Sequence, residues 1–199
     1  MLEIFDFEQG TPEWHDSRCG IATASNFSQV LAKGAGKTRR SYLLKLVGER
    51  ITGTIAETYQ NEHMQRGIEQ EAEARNAYIE KTFNDVLGCG FMRLDKKFGY
   101  SPDGLIGDDG LLEIKTKLPH LQADVLLSGE VPSDHVAQIQ GGLFISGRKW
   151  LDFVSYCPKM PVFIKRVERD ESYIAKLVEE LNKFESEIVE SVNKLEELK

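Results

Sequence analysis

Apolar residues recur along this chain in two rhythms, and the rhythms divide it into elements. The longest helical rhythm closes the chain. Ile174, Leu177, Val178, Leu181, Phe184, Ile188, Val192 and Leu195 fall three or four residues apart, which gathers them into one stripe of a helix whose other faces are acidic. Core packing is the first use for such a stripe and contact between copies the second. The same spacing predicts helices from Arg40 to Ile51, from Gly67 to roughly Thr82, and from Pro132 to Ile145, the last carrying Gln138 and Gln140. Ser25-Asn26-Phe27-Ser28-Gln29-Val30-Leu31 reads as a capped helix start.

Period-two alternation predicts strands at Trp150 to Tyr156, at 162 to 167, and on either side of the turn formers Gly104, Gly107, Asp108, Asp109 and Gly110. In that hairpin Leu111, Glu113 and Lys115 share one face, while Leu112, Ile114 and Thr116 take the other and pack on a core. No repeat, low-complexity stretch or long linker interrupts the series, so residues 1 to 199 read as one domain. Helices first, a mixed central β-sheet, then a closing helix predict an α/β (α+β) fold with helices flanking the sheet.

Composition narrows the class. With 41% hydrophobic and 29% charged residues, no apolar run long enough for a membrane and no signal-peptide pattern, the chain reads as a cytoplasmic globular protein. Cys19, Cys89 and Cys157 are too few and too scattered for a disulfide framework or a zinc site, and the four histidines lack metal-ligand spacing. The net charge of −7 argues against a nucleic-acid partner until its distribution is seen. Residues 168 to 199 carry −5 of it, and Lys33, Lys37, Arg39, Arg40, Lys45 and Arg50 oppose the single acid Glu49. That cluster suits phosphates, and a solvated helix and loop explains it equally well. Lys33-Gly34-Ala35-Gly36-Lys37-Thr38 looks superficially like a phosphate loop, but its first glycine would fall at Leu31.

The chemistry concentrates in the hairpin. Ser101-Pro102-Asp103-Gly104 followed by Leu112-Glu113-Ile114-Lys115 brings Asp103 beside Glu113, with an amine on the same face. Two close carboxylates repel unless a cation offsets them, and Mg²⁺ binds through one or two carboxylates, waters and substrate phosphate. A polar hairpin with a surface Glu113–Lys115 pair is the plain alternative. Glu69, Glu71 and Glu73 crowd a helix start, where the helix dipole alone favours acids, although one of them can serve as a metal ligand or outer base.

These motifs together resemble a family. Glu13-Trp14-His15 leading to Arg18 and Gly20-Ile21-Ala22-Thr23-Ala24-Ser25, then Arg66-Gly67 to Glu71, then the two hairpin segments, then Ala137-Gln138-Ile139-Gln140 follow in the order of the lambda exonuclease family, the YqaJ-like viral recombinase nucleases of the PD-(D/E)xK superfamily. Tyr156 to Met160 and Val167 to Glu171 resemble further stretches of it. The resemblance implies a restriction-endonuclease-like core and a Mg²⁺-dependent 5′-to-3′ exonuclease, with Mn²⁺ able to substitute and two ions per site. It would degrade one strand of linear duplex DNA to mononucleotides. It also implies a homotrimeric ring, a phage single-strand annealing protein as partner, and the cytoplasm of a bacterial host. By motif position Asp103, Glu113, the Ile114 carbonyl and Glu71 would hold metal, Lys115 and Gln138 would position the water, and Arg18 and Ser25 would bind the 5′-phosphate. A surface ion pair for Arg18 and a helix cap for Ser25 are the structural alternatives. Met64 lies near where the family prises the terminal base pair apart, with a core methionine the favoured reading because the flanking residues differ, and Lys37, Arg39 and Arg40 are the candidate DNA-gripping residues. Competing readings are an endonuclease or an iron–sulfur DNA-end-processing enzyme of the same core, or an inactive DNA-binding or annealing module; three scattered cysteines cannot supply the four thiolates of an iron–sulfur cluster.

Overall fold

The computed structural model describes residues 1–32, 36–55 and 62–198, the side chains of 62–69 excepted. Lys33 and the side chains of Met64, Arg66 and Glu69 therefore lie outside the described residues. Strands fall into two four-stranded sheets rather than one. The first orders β1 (Leu2–Phe5), β3 (Phe91–Leu94), β4 (Phe98–Tyr100) and β2 (Ala22–Thr23); the second orders β5 (Gly104–Ile106), β6 (Gly110–Thr116), β7 (Trp150–Tyr156) and β8 (Phe163–Glu168). Both sheets are mixed, with β2–β4 and β6–β7 parallel and the other pairs antiparallel.

The parallel β6–β7 pair needs a crossover, and the chain makes it through α5 (Pro119–Ser128) and α6 (Val136–Ser146). β7 is covered on both sides, which is why Leu151 to Ser155 are all buried. β6 shows the expected alternation: Leu111 enters the larger core with Leu151 and Phe153, whereas Leu112 and Ile114 enter a second core with Val154 and with Ala74 and Tyr78 of α4 (Glu62–Thr82). Glu113 and Lys115 therefore point to the α6 side, away from α4's apolar face.

α7 (Glu171–Glu196) buries Ile174, Leu177, Leu181, Phe184 and Ile188 against α3 (Lys37–Thr52) and α6, so its stripe is core for most of its length, and Leu195 is exposed. The helix expected from Ser25 is instead a 3₁₀ turn, Ala24–Asn26, followed by the single turn α2 (Phe27–Val30). Ser25 lies inside that turn and caps nothing, because Thr23 and Asn26 engage its hydroxyl at 3.2 and 3.4 Å. Pro132 to Ile145 likewise begins as a 3₁₀ turn, Ser133–His135, before α6. Gly104 opens β5 rather than turning; Gly107, at φ +51°, makes the turn. The short helix α1 (Pro12–Arg18), capped by Thr11, carries Arg18 as its last residue.

Candidate active site

The hairpin sets the acid pair. Asp103 precedes β5, its N–H donates to the Leu112 carbonyl at 3.1 Å, and its Oδ2 accepts from the Ile114 N–H at 2.5 Å. The carboxylate of Asp103 is thereby fixed along β6, beside Glu113. Glu113 is 2% exposed and surrounded by donors: the Tyr100 hydroxyl at 2.8 Å, Gln138 Nε2 at 2.5 Å and Lys115 Nζ at 2.6 Å. Tyr100 reaches it because Gly142 leaves room; a Cβ there would stand 2.8 Å from the Tyr100 ring. Burial, then Glu113, push the Tyr100 phenol well above its ordinary range, so it remains a donor.

Burial and the Glu113 charge likewise hold Asp103 well above the usual carboxylate range, with Lys115 and the Ile114 N–H opposing. Burial pulls Lys115 down, but Glu113, Asp103 and Glu71 together outweigh it and keep the ammonium protonated. Two close carboxylates raise one another in this way, and a cation between them would oppose it. The donor set is two carboxylates without sulfur or imidazole, and among the described residues no three His, Cys, Asp or Glu side chains converge on one point. Such a set fits a hard cation that completes its shell with water and phosphate.

Glu71, on α4, stands outside this pair. Its Oε1 accepts from Arg75 Nη2 at 3.2 Å, and the same nitrogen donates to the Asp103 carbonyl. Arg75 therefore ties helix to hairpin. Sequence reasoning passed over it although it lies one helical turn after Glu71, the spacing of a helical ion pair.

Arg18 lies on the other flank. Its guanidinium stacks 3.9 Å above the Trp14 ring and donates to Ser101 Oγ at 3.1 Å, an oxygen that also accepts from Trp14 Nε1 at 3.0 Å. Among the described residues no carboxylate stands within ion-pair distance of it. Burial pushes Arg18 down to about 10, which leaves it charged at neutral pH. The turn beyond it is gripped on both sides: the Gly20 N–H donates to Glu49 Oε2 at 3.0 Å and its carbonyl accepts from Arg50 Nε at 2.8 Å. Gly20 has φ +66°, and a Cβ there would fall 2.5 Å from Arg50 Cγ. Ser101 and Trp14 gave no separate signal of a role beyond their place in the motifs.

A cavity of about 180 Å³ joins Arg18, Ser25 and Ser101 to Asp103, Glu113, Lys115 and Gln138. A larger one of about 960 Å³ is lined by Glu71 and Arg75 and shares Trp14, Arg18 and Asp103 with it. Lys37, Arg39 and Arg40 line neither. Arg39 makes a two-pronged pair with Glu187 of α7 at 2.7 and 2.8 Å, and Lys37 and Arg40 are exposed. Gln140, buried, bonds the Glu168 carbonyl and the Asp170 N–H, so of the two glutamines only Gln138 meets the acids.

The family described as YqaJ-like viral recombinase domain matches residues 13–149, a span that contains every residue from Arg18 to Gln138. No curated protein matches the chain. Two crystal structures of LHK-Exo, an alkaline exonuclease from Laribacter hongkongensis, one of them in complex with dAMP, are similar: 36% identity, a TM-score of 0.87, and coverage of 94% of this chain and 97% of theirs. A phage related exonuclease from Haemophilus somnus is 13% identical with a TM-score of 0.66, covering 88% of this chain and 96% of its own, and shares the fold.

Proposed function

The chain belongs to the YqaJ-like viral recombinase family and is a nuclease of the alkaline-exonuclease kind; from that premise we propose that it is a Mg²⁺-dependent 5′-to-3′ exonuclease that digests one strand of linear duplex DNA. One observation carries this reading: a half-buried guanidinium, with no carboxylate within ion-pair distance among the described residues, opens into the same cavity as Asp103 and the buried Glu113. Such a guanidinium is a strong site for a phosphate. With Ser25 and Ser101 it holds the 5′-terminal phosphate, and that placement sets the first internucleotide linkage at Asp103 and Glu113.

Asp103 and Glu113 hold Mg²⁺, with Mn²⁺ able to replace it, and the bound ion supplies Lewis acidity and a more acidic water. Lys115 and Gln138 orient the attacking oxygen, and Tyr100 keeps Glu113 in place. Attack at phosphorus breaks its bond to the 3′-oxygen of the first nucleotide. A 5′-mononucleotide leaves, and the shortened strand carries a new 5′-phosphate that refits the Arg18 pocket, which gives direction without base reading. The dAMP in the LHK-Exo complex is a molecule of that product class. The same reading includes a homotrimer around DNA, a single-strand annealing partner, and action in the cytoplasm of a phage or prophage host. Among the described residues no helix is long and apolar enough to cross a membrane.

The test is digestion of linear duplexes with a 5′-phosphate or a 5′-hydroxyl, resolved by strand, beside closed circular DNA, with Mg²⁺. Mononucleotides released from the phosphorylated strand, with circles intact, are expected. Cutting of closed circles makes the protein an endonuclease, and equal digestion of both ends removes the phosphate role of Arg18 and Ser25.

A further inference from the structure

Beyond Lys115 the same face of β6 continues to a pair that the reaction described above does not use. Lys117 follows Lys115 by two residues, and its N–H keeps the strand's pairing by donating to the Tyr156 carbonyl at 2.7 Å. Alternation therefore carries Glu113, Lys115 and Lys117 along one edge of the site. The start of α6 runs beside this edge. Gln138 meets Glu113, and one turn earlier His135 meets Lys117, with Nε2 2.9 Å from Nζ.

This ammonium is held by an imidazole instead of a carboxylate. A lysine donates only, so His135 accepts at Nε2 and is neutral. Burial and the neighbouring Lys117 push His135 down to about 4, which keeps it neutral throughout the physiological range. The charged neighbours are Lys115 on the inner side and Asp134 on the outer side; Asp134 Oδ1 is 3.8 Å from His135 Nε2, with its side chain 73% exposed. Among the described ion pairs none includes Lys117. A neutral acceptor orients the cation without cancelling its charge, the arrangement expected where an anion is to be received.

Arg18, Asp103, Glu113 and Lys115 line one cavity, and Lys117 follows Lys115 on the chain just outside that lining. Two residues of strand advance about 6.6 Å, a step of the same order as that between successive phosphates of an extended nucleic-acid strand. We infer that Lys117, oriented by His135, contacts the phosphate one nucleotide beyond the scissile linkage on the retained strand. This subsite rests on the exonuclease reading and adds to it a grip on the strand being fed in.

The probe is a 5′-phosphorylated linear duplex with a methylphosphonate at its second internucleotide linkage, which removes that one charge. First-nucleotide release is followed in a single turnover with Mg²⁺. In the unaltered protein the modification is expected to slow release about tenfold, the worth of one charge-assisted hydrogen bond. Lys117→Met is expected to slow release from unmodified duplex by a similar factor, after which the methylphosphonate costs less than about twofold more. Lys117→Arg is expected to restore most of the loss. Full methylphosphonate sensitivity in Lys117→Met, or release at the unaltered rate, overturns the subsite alone. No release from unmodified duplex by the unaltered protein overturns the exonuclease reading and the subsite with it. Should Lys117→Met lower the melting temperature, Lys117→Gln carries the same comparison.

Discussion

Arg18 and Arg50 flank the same residue, Gly20: one ends the helix just before it and the other grips its carbonyl. Both guanidiniums are half-buried. Arg50 also meets both oxygens of Glu185 on α7, at 2.8 and 2.7 Å, and so joins α3 to α7. Arg18 meets a ring and a serine hydroxyl, and its remaining donors face a cavity. Residue type and burial are alike in the two, and the partner separates them. A buried cation that has a carboxylate is a strut, whereas one that lacks it is a site awaiting an anion.

Lys115 tests the limits of that contrast, since it has a carboxylate partner, Glu113, yet opens into the cavity. Lys115→Ala is expected to lower mononucleotide release about a thousandfold, roughly 4 kcal/mol of barrier, with duplex binding kept. Filter binding beside single-turnover release reads both quantities. Digestion at the unaltered rate would place Lys115 with the struts.

Arg50→Ala comes next. It leaves Glu185, only 8% exposed, without its fork, and breaking a buried pair costs about 3 kcal/mol or more. A lower urea midpoint at unchanged slope is expected, with the preference for 5′-phosphate over 5′-hydroxyl ends altered little. Arg18→Ala should do the reverse. Digestion of 5′-phosphorylated ends falls about thirtyfold, roughly 2 kcal/mol, while the unfolding midpoint holds. If the two variants exchange these behaviours, the partner rule is wrong.

The struts explain what the sequence hid. Arg39 and Glu187 are 148 positions apart, and Arg50 and Glu185 are 135 apart, so local charge counting grouped Arg39, Arg50 and their neighbours as one basic surface. The acidic faces of the closing helix supply counter-ions to Arg39 and Arg50. The α7 stripe, β7 and the Asp103–Glu113 juxtaposition were legible because each follows one period over seven or more residues or one tight turn. β3 and β4, four and three residues long, offer no period to read, and α5 went unassigned in the same way. Tyr100 and Ser101 make contacts between separate elements, which local spacing does not display; for Arg75 local spacing shows the Glu71 pair but not the reach to the Asp103 carbonyl.

The smallest effect is also the sharpest in sign, and it concerns Lys37 and Arg40. Both lie exposed in the opening turns of α3, whose first turn carries no acid of its own to answer the partial positive charge of the helix N-terminus. Cations there cost the fold about 0.3–1 kcal/mol in total at low salt. Arg39, in the same turn, offsets its share through Glu187; Lys37 and Arg40 have no described ion pair that would do so. Lys37→Gln should therefore raise the unfolding free energy by a few tenths of a kcal/mol, an increase that removing a useful fold contact would not give. If the lysine touches DNA, the same change lowers the slope of log affinity against log salt by about one. Stability and binding then move in opposite directions, a combination that neither a strut nor an idle surface charge produces. A variant that gains stability and binds duplex with an unchanged salt slope makes Lys37 a solvated charge, and confines the phosphate-binding cations to the cavity and its edge along β6.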